Sequence, residues 1–367
     1  MSRIEAVDGL AFRLPSTLTG QPRDEECFLL RIVTEDGLTG WGEAHGSPFL
    51  SRAVVNAPKT HVTAQGLRCI LLGADASDIP ALRRQMEKDT QWIGRDGVVM
   101  QAIAAAELAL WDLAGQRAGL PVSRLLSPEA RTSIPCYASD KVAATPEGTA
   151  LRIRAEREAG FRAHKLGWPP FGASEESDVA FLQAARYIAP DATLMVDAAQ
   201  AFTLDEALSR ARAFEPFSLA WIEEPLNRDD LDGQKALHEQ SVVPIASGEG
   251  ECGIIGLRRI APLVDILQPD ITRCGLLAAC EIAPQVPQVC SHSFTTPLNI
   301  AMHAHWLAAM PNALFLEWPM SKAALWAPYF QGNLAPANGE VVLPQSPGWG
   351  IRPDLDALAS FVMPAEG

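Results

Sequence analysis

Basic residues are scarce in this chain: 30 Lys and Arg stand against 44 Asp and Glu over 367 residues, giving a net charge of −14 at pH 7. That balance excludes the basic stripe a nucleic-acid interface needs. An anionic substrate stays open, because a bound cation and a few local charges can invert the field inside a cleft. Paired cysteines are missing too. The seven cysteines are scattered and form no Cys-x-x-Cys, which points to reduced thiols in the cytosol. Cys27, Cys136, Cys252, Cys274, Cys280 and Cys290 adjoin apolar runs and read as packing residues. Met1 to Leu10 lacks the basic-then-apolar layout of a signal peptide. No apolar stretch reads as long enough to span a bilayer, so the expected location is the cytoplasm, with no membrane partner. A composition of 48% hydrophobic and 20% charged residues supplies ample core. The length suits one large domain plus a smaller one.

The first 125 residues carry strand patterns at Ile4–Val7, Cys27–Val33 and Thr39–Ala44, with Glu35–Leu38 as a hairpin turn. Apolar positions then fall at helical spacing from Val98 to Arg117, and Gly119-Leu120-Pro121 stops that helix. Strands first and a helix after predict an α+β unit.

A different rhythm begins near Ser133, where short apolar runs alternate with capped helical stretches. Thr145-Pro146 opens one helix, and Thr203 with Glu206 has capping-box spacing for another. From the second run onward, each apolar run ends in a polar or charged residue: Lys165, Asp197, Glu223, Glu249, Asp270, His292 and Glu317. Their steps of 32, 26, 26, 21, 22 and 25 residues match one strand plus one helix. The predicted architecture is α/β, a (β/α)7β TIM-like barrel over 126–325, whose C-terminal rim carries the chemistry. A capping domain is expected from 1–125, with segment 326–367 returning to it. Gly339–Pro344 reads as an added strand.

Asp197, Glu223 and Glu249 sit at equal intervals on three successive strands. Any one alone would read as a loop acid or helix cap. Three converging like charges call for a cation, and an all-oxygen ligand set suits Mg²⁺. Glu224 reads as a supporting acid. His303 and His305 lie within a helical stretch and read as packing or surface residues. His45–Ser51 and Leu14–Arg23 are loops that could lean over the barrel mouth.

Asp197-Ala198-Ala199-Gln200, Ile222-Glu223-Glu224-Pro225, Ser247-Gly248-Glu249, Pro269-Asp270, Ser291-His292 and Leu316-Glu317, in this order, resemble the mandelate racemase subgroup of the enolase superfamily. Gly40-Trp41-Gly42-Glu43 and Ala106–Asp112 are similar to that family's capping domain. The resemblance implies that Asp197, Glu223 and Glu249 bind Mg²⁺, which holds a substrate carboxylate. It further implies that Asp270 orients His292 as the base for the α-proton, and that a protonated Glu317 hydrogen-bonds the carboxylate. Substrate-selecting roles for the two capping-domain loops and a homo-oligomeric assembly are implied as well. One departure stands out. Where many relatives have Lys-x-Lys, this chain has Lys165-Leu166-Gly167. Strand alternation puts 165 and 167 inside the barrel and His164 outside, so His164 does not replace the lost base. Lys165 is then expected as an electrophilic partner of the carboxylate, and Gly167 as a source of space beneath Trp168-Pro169-Pro170. A single base favours dehydration of a sugar acid to a 2-keto-3-deoxy acid. An epimerase or cycloisomerase acting through the same enediolate, and a non-catalytic metal-binding barrel, are the alternatives.

Overall fold

A computed structural model describes residues 2–16 and 23–364. Three antiparallel strands open the chain: β1 (Ile4–Ser16), β2 (Arg23–Thr34) and β3 (Thr39–Ala44). The turn between β2 and β3 lies at Glu35–Leu38, where Gly37 has φ 80° and its N–H donates to the Thr34 carbonyl. β1 continues well past Val7, because Ala11, Phe12 and Leu14 go on burying apolar surface and the pairing with β2 runs to Ser16↔Arg23. Helices Pro48–Asn56 and Ile79–Asp89 were not expected from the sequence. The second is capped by Asp78, whose side chain accepts from Ala81 N.

Helix Val98–Ala118 packs across the sheet and stops at Gly119 in the left-handed conformation, φ 65°. β3 lies directly on it. A Cβ on Gly42 would come within 1.9 Å of the Ala105 carbonyl, and one on Gly40 within 2.2 Å of Ala109 O. The Gly-x-Gly spacing is therefore the condition for backbone to lie on backbone. This helix corrects one expectation: by length and composition it is apolar enough to cross a membrane, yet 83% of its apolar window is buried inside the protein. It is the core helix of the N-terminal unit.

Eight parallel strands follow: β4 (Ser133–Ser139), β5 (Ala163–Gly167), β6 (Thr193–Asp197), β7 (Ile222–Glu223), β8 (Ile245–Ser247), β9 (Ile266–Leu267), β10 (Gln288–Val289) and β11 (Leu316–Pro319). They pair in chain order from β4 to β10, and β11 pairs back onto β4. Leu314 N donates to Val289 O and completes the ring. Tyr137, Met195, Trp221, Ile266 and Cys290 fill the interior as one cluster, so the barrel is a packed core with its rim free. The helices between strands start where the sequence places their caps. Thr145 accepts from Gly148 N, and the Thr203–Glu206 box is formed in both directions.

The C-terminal tail first adds strand Glu340–Val342 antiparallel to Ser133–Pro135 of β4. It then meets the N-terminal unit. Trp349 donates from its indole to Leu108 O and from its backbone N–H to Asp112, and Met363 N donates to Ala11 O. Two buried acids of the N-terminal unit reach into the barrel loops after β9 and β10. Glu43 accepts from Thr295 and Thr296, and Glu107 pairs with Arg83 while accepting from Leu277 N. Of the expected loop Leu14–Arg23, residues 17–22 lie outside the described residues.

Candidate active site

Lys165, Asp197, Glu249, His292 and Glu317 line one cavity of about 350 Å³ at the C-terminal mouth of the barrel, whereas Glu223 and Asp270 are fully buried and do not line it. Strand pairing sets their order, with Asp197 directly beside Glu223 across β6 and β7 and Gly167 beside Asp197 across β5 and β6. Asp197 and Glu223 close their strands, whereas Glu249, Asp270 and His292 stand two or three residues beyond theirs.

Lys165 is buried among acids, 2.5 Å from Glu223, 2.8 Å from Glu317 and 3.7 Å from Asp197. Burial by itself would lower its pKa. The charges of Glu223, Glu317 and Asp197 outweigh that and hold it well above the usual lysine range. Glu223 spends its other oxygen on Trp221 Nε1 and Gln268 Nε2. Asp197 accepts from Ala199 N and from the indole of Trp168. Burial raises the pKa of both. Glu249 is pushed up to about 8, first by burial and then by Glu224, Asp197 and Glu223, with His292 pulling the other way. Glu224 accepts from Ser247 and Gly248 N through one oxygen and leaves the other, Oε2, buried without a partner.

Those observations test whether a hard cation fits. On top of burial, the charges within the set Asp197, Glu223, Glu224 and Glu249 raise its members' pKa. Lys165 already answers to Glu317 as well, and Glu224 keeps a buried carboxylate oxygen without a partner. An oxygen-only donor set with surplus negative charge is what Mg²⁺ requires, so the residues fit the ion.

Opposite them, His292 Nδ1 lies 3.1 Å from Asp270 Oδ2, and its Nε2 lies 3.7 Å from Glu249. Burial lowers the His292 pKa. Glu249, the Asp270 hydrogen bond and Glu317 more than reverse that, and raise it to about 10. Asp270 is wholly buried, which favours its neutral form, but hydrogen bonds from His292 and His45 hold it well below the usual carboxylate range. It also caps the short helix Ile271–Cys274, accepting from Thr272 N. A structural role and an electrostatic one coincide on the same side chain.

Three expectations change. Glu317 was expected to carry a proton. Burial favours that, but Lys165 and His292 outweigh it and lower its pKa to about 2. Its oxygens accept from Lys165, Ser139 and Ser293 N. Gly167 was expected to leave space. A Cβ there would lie 2.6 Å from both Cβ and O of Asp197, so the room is already taken by the neighbouring strand. His45 was expected only as the first residue of a loop over the barrel mouth, and it donates from Nδ1 to Asp270 Oδ2 at 2.8 Å and stacks on His292 with 5.3 Å between ring centroids. The available signal was its position, two residues after the buried Glu43 at the end of β3. Trp168, expected only to lie above a space at Gly167, lines the cavity with φ 66° and has Lys141 Nζ 5.3 Å from its ring.

Three other histidines serve the fold. His164 faces outward to Glu156 at 2.7 Å. His303 is buried, donating to Asn299 O and accepting from Ile271 N. His305 lies against Trp349, and burial brings its pKa down to about 4. His45, Asp270 and His292 have their potential ligand atoms within 4.8 Å of one another. Imidazole nitrogens favour a borderline metal, so this trio differs in kind from the carboxylate set.

Comparison with known proteins identifies the family. The family described as "Enolase C-terminal domain-like" matches residues 149–357, and "Mandelate racemase / muconate lactonizing enzyme, N-terminal domain" matches 8–127. A 3,6-anhydro-alpha-L-galactonate cycloisomerase of Streptomyces coelicolor is 31% identical, covering 96% of both chains. A D-galactarolactone cycloisomerase of Agrobacterium fabrum is 29% identical over 92% of this chain and 91% of its own. An L-talarate/galactarate dehydratase of Salmonella typhimurium is 30% identical over 82% of this chain and 75% of its own. Among solved structures, a racemase from Streptomyces coelicolor with bound magnesium superposes with TM-score 0.87 at 28% identity, covering 98% of this chain and all of the other. The chain belongs to the enolase superfamily, in its mandelate racemase subgroup.

Proposed function

We propose that this enzyme is a Mg²⁺-dependent lyase that removes the proton α to the carboxylate of a sugar acid and expels the β-hydroxyl, giving a 2-keto-3-deoxy acid. Asp197, Glu223 and Glu249 are the residues that would hold the ion. When bound, it supplies Lewis-acid stabilisation of the enediolate. Lys165 adds a buried positive charge on the same side, and Glu317 holds Lys165 in place. With the Glu249 charge that raises the His292 pKa taken up by the ion, His292 Nε2 would be free to take the proton from Cα while Asp270 balances the imidazolium. The C–H electron pair becomes the C=C bond, the Cβ–O bond breaks, and the departing oxygen takes a proton from His292 and leaves as water. The enol then becomes the ketone.

The observation that carries this reading is the blocked position at Gly167. Gly167 bears no side chain, and one added there would meet Asp197, so the strand supplies no base at that position on the face opposite His292. Elimination needs one base, and racemisation needs two. A cycloisomerase through the same enediolate is the second reading, supported by the names of two relatives. In either case the partner is a small-molecule carboxylate, the setting is the cytoplasm and the assembly is a homo-oligomer.

The test is incubation with Mg²⁺ and a panel of galactarate, D-gluconate, D-xylonate, L-rhamnonate and galactarolactone in deuterium oxide. Dehydration gives a semicarbazide-reactive keto acid that has lost one water, ring-opening isomerisation of a lactone gives a product of unchanged formula, and epimerisation exchanges the α-hydrogen without a keto product. His292→Asn should abolish α-deuterium uptake. If no acid exchanges its α-hydrogen, the chain is a metal-binding barrel without this chemistry.

A further inference from the structure

His45 comes from the N-terminal unit, yet it shares an acceptor with the proposed base. Both imidazoles direct Nδ1 at Asp270 Oδ2, at 2.8 Å for His45 and 3.1 Å for His292. Their planes differ by 3°. The His45 backbone is fixed on both sides, its N–H donating to Thr272 O and its carbonyl accepting from Arg273. Its side chain is 28% exposed and lines the cavity. Nδ1 is spent on Asp270, and Nε2 has no hydrogen-bond partner among the described residues. Burial lowers the pKa of this ring, which keeps it neutral. A neutral imidazole with its proton on Nδ1 offers a bare lone pair at Nε2. A ring nitrogen addresses atoms within about 3 Å, so two rings 5.3 Å apart can meet adjacent carbons of one substrate.

We infer that His45 is a specificity-determining residue: Nε2 accepts a hydrogen bond from the substrate hydroxyl on the carbon next to the one that loses its proton, on the face His292 attacks. This rests on the proposed function for the identity of the substrate. The shared oxygen makes recognition and base orientation one device, since the carboxylate that aims His292 also fixes the tautomer of His45. A hydroxyl held there stands beside the imidazolium that proton abstraction creates, ready to leave on the same face. A site built to bond a hydroxyl discriminates against the analogue lacking it, because its own polar atom is left unpaired.

The experiment compares D-gluconate and galactarate with their 3-deoxy counterparts, which still carry an exchangeable α-hydrogen. Two readouts are used: α-deuterium uptake, and the ¹⁵N resonance of His45 Nε2 in histidine-labelled protein with Mg²⁺. In wild type, the hydroxylated acids should exchange with kcat/KM at least ten-fold above their 3-deoxy partners and should move the Nε2 resonance. His45→Asn keeps a donor near Asp270 but loses the acceptor, and should bring that ratio close to one, mainly through KM. His45→Gln, which restores a polar atom near the Nε2 position, should recover part of it. An unchanged ratio in His45→Asn, or equal loss of exchange with both kinds of acid, overturns the inference. If the Nε2 resonance moves only with the hydroxylated acids but nothing exchanges, the hydroxyl contact stands and the proposed reaction fails. If exchange occurs and Nε2 does not move, the reverse holds.

Discussion

Replacing Gly167 by Lys would restore the Lys-x-Lys pattern of many relatives on paper. The structure says it should disable the protein. Any Cβ at 167 meets Asp197 Cβ and O at 2.6 Å and Asp197 Cα at 3.1 Å. These are atoms of a paired neighbouring strand rather than the end of a flexible side chain, so the relief has to come from moving β5 against β6. Overpacking of this kind costs about 1–3 kcal/mol. At roughly 2–4 °C per kcal/mol for domains of 150–250 residues, that is a fall in Tm of about 2–12 °C. Gly167→Ala separates the effect of bulk from that of the amine and should show most of it. The displaced group is a proposed Mg²⁺ ligand, so the thermal gain on adding the ion should shrink too. In wild type that gain is about 2.7 kcal/mol at a hundred-fold excess over Kd. Differential scanning fluorimetry with and without MgCl₂, on both variants, measures all of this. The reasoning is refuted if Gly167→Ala keeps the wild-type Tm and Mg²⁺ increment, or if Gly167→Lys exchanges the α-hydrogen of both epimers of an acid.

Three further outcomes follow from the same geometry. Without a cation, Glu249 titrates near 8 in the folded chain against an ordinary value of 4.5. It therefore favours folding fully below pH 4.5 and loses that contribution as pH rises through 8; thermal melts should show Mg²⁺ adding progressively more stability over that window, and Glu249→Gln should flatten the trend. Arg83→Met leaves the Glu107 carboxylate buried without its partner, and should cost about 3–5 kcal/mol in urea unfolding, far more than Lys235→Met at the exposed Lys235–Glu239 pair. Asp270→Asn should lower α-deuterium exchange by roughly 10²–10⁴-fold, with a smaller change in Mg²⁺ affinity by calorimetry, because Asp270 touches the imidazoles and not the carboxylate set.

Much of this was legible along the chain, for a reason the βα unit supplies. A strand of fixed polarity delivers its last residue to the same rim each time. A period of roughly 21 to 32 residues with an acid, lysine or histidine at each strand end is thus a spatial statement made in one dimension. Helix caps such as Thr203 with Glu206 are equally local and equally readable. The N-terminal unit was harder. Helix Pro48–Asn56 is only nine residues long, and the Ile79–Asp89 helix is mostly polar, so neither announces itself.

What the sequence determined by itself is therefore whatever depends on near neighbours: strand ends and helix caps. Only the tertiary structure decided where long-range contacts converge. Three close approaches depend on how separate segments meet: His45 on Asp270 across 225 positions, Lys165 on Glu317, and the Asp197 backbone at Gly167. The protonation of Glu317 belongs with them, because the charge of a buried carboxyl is fixed by the partners that burial leaves it, and no pattern along the chain records those.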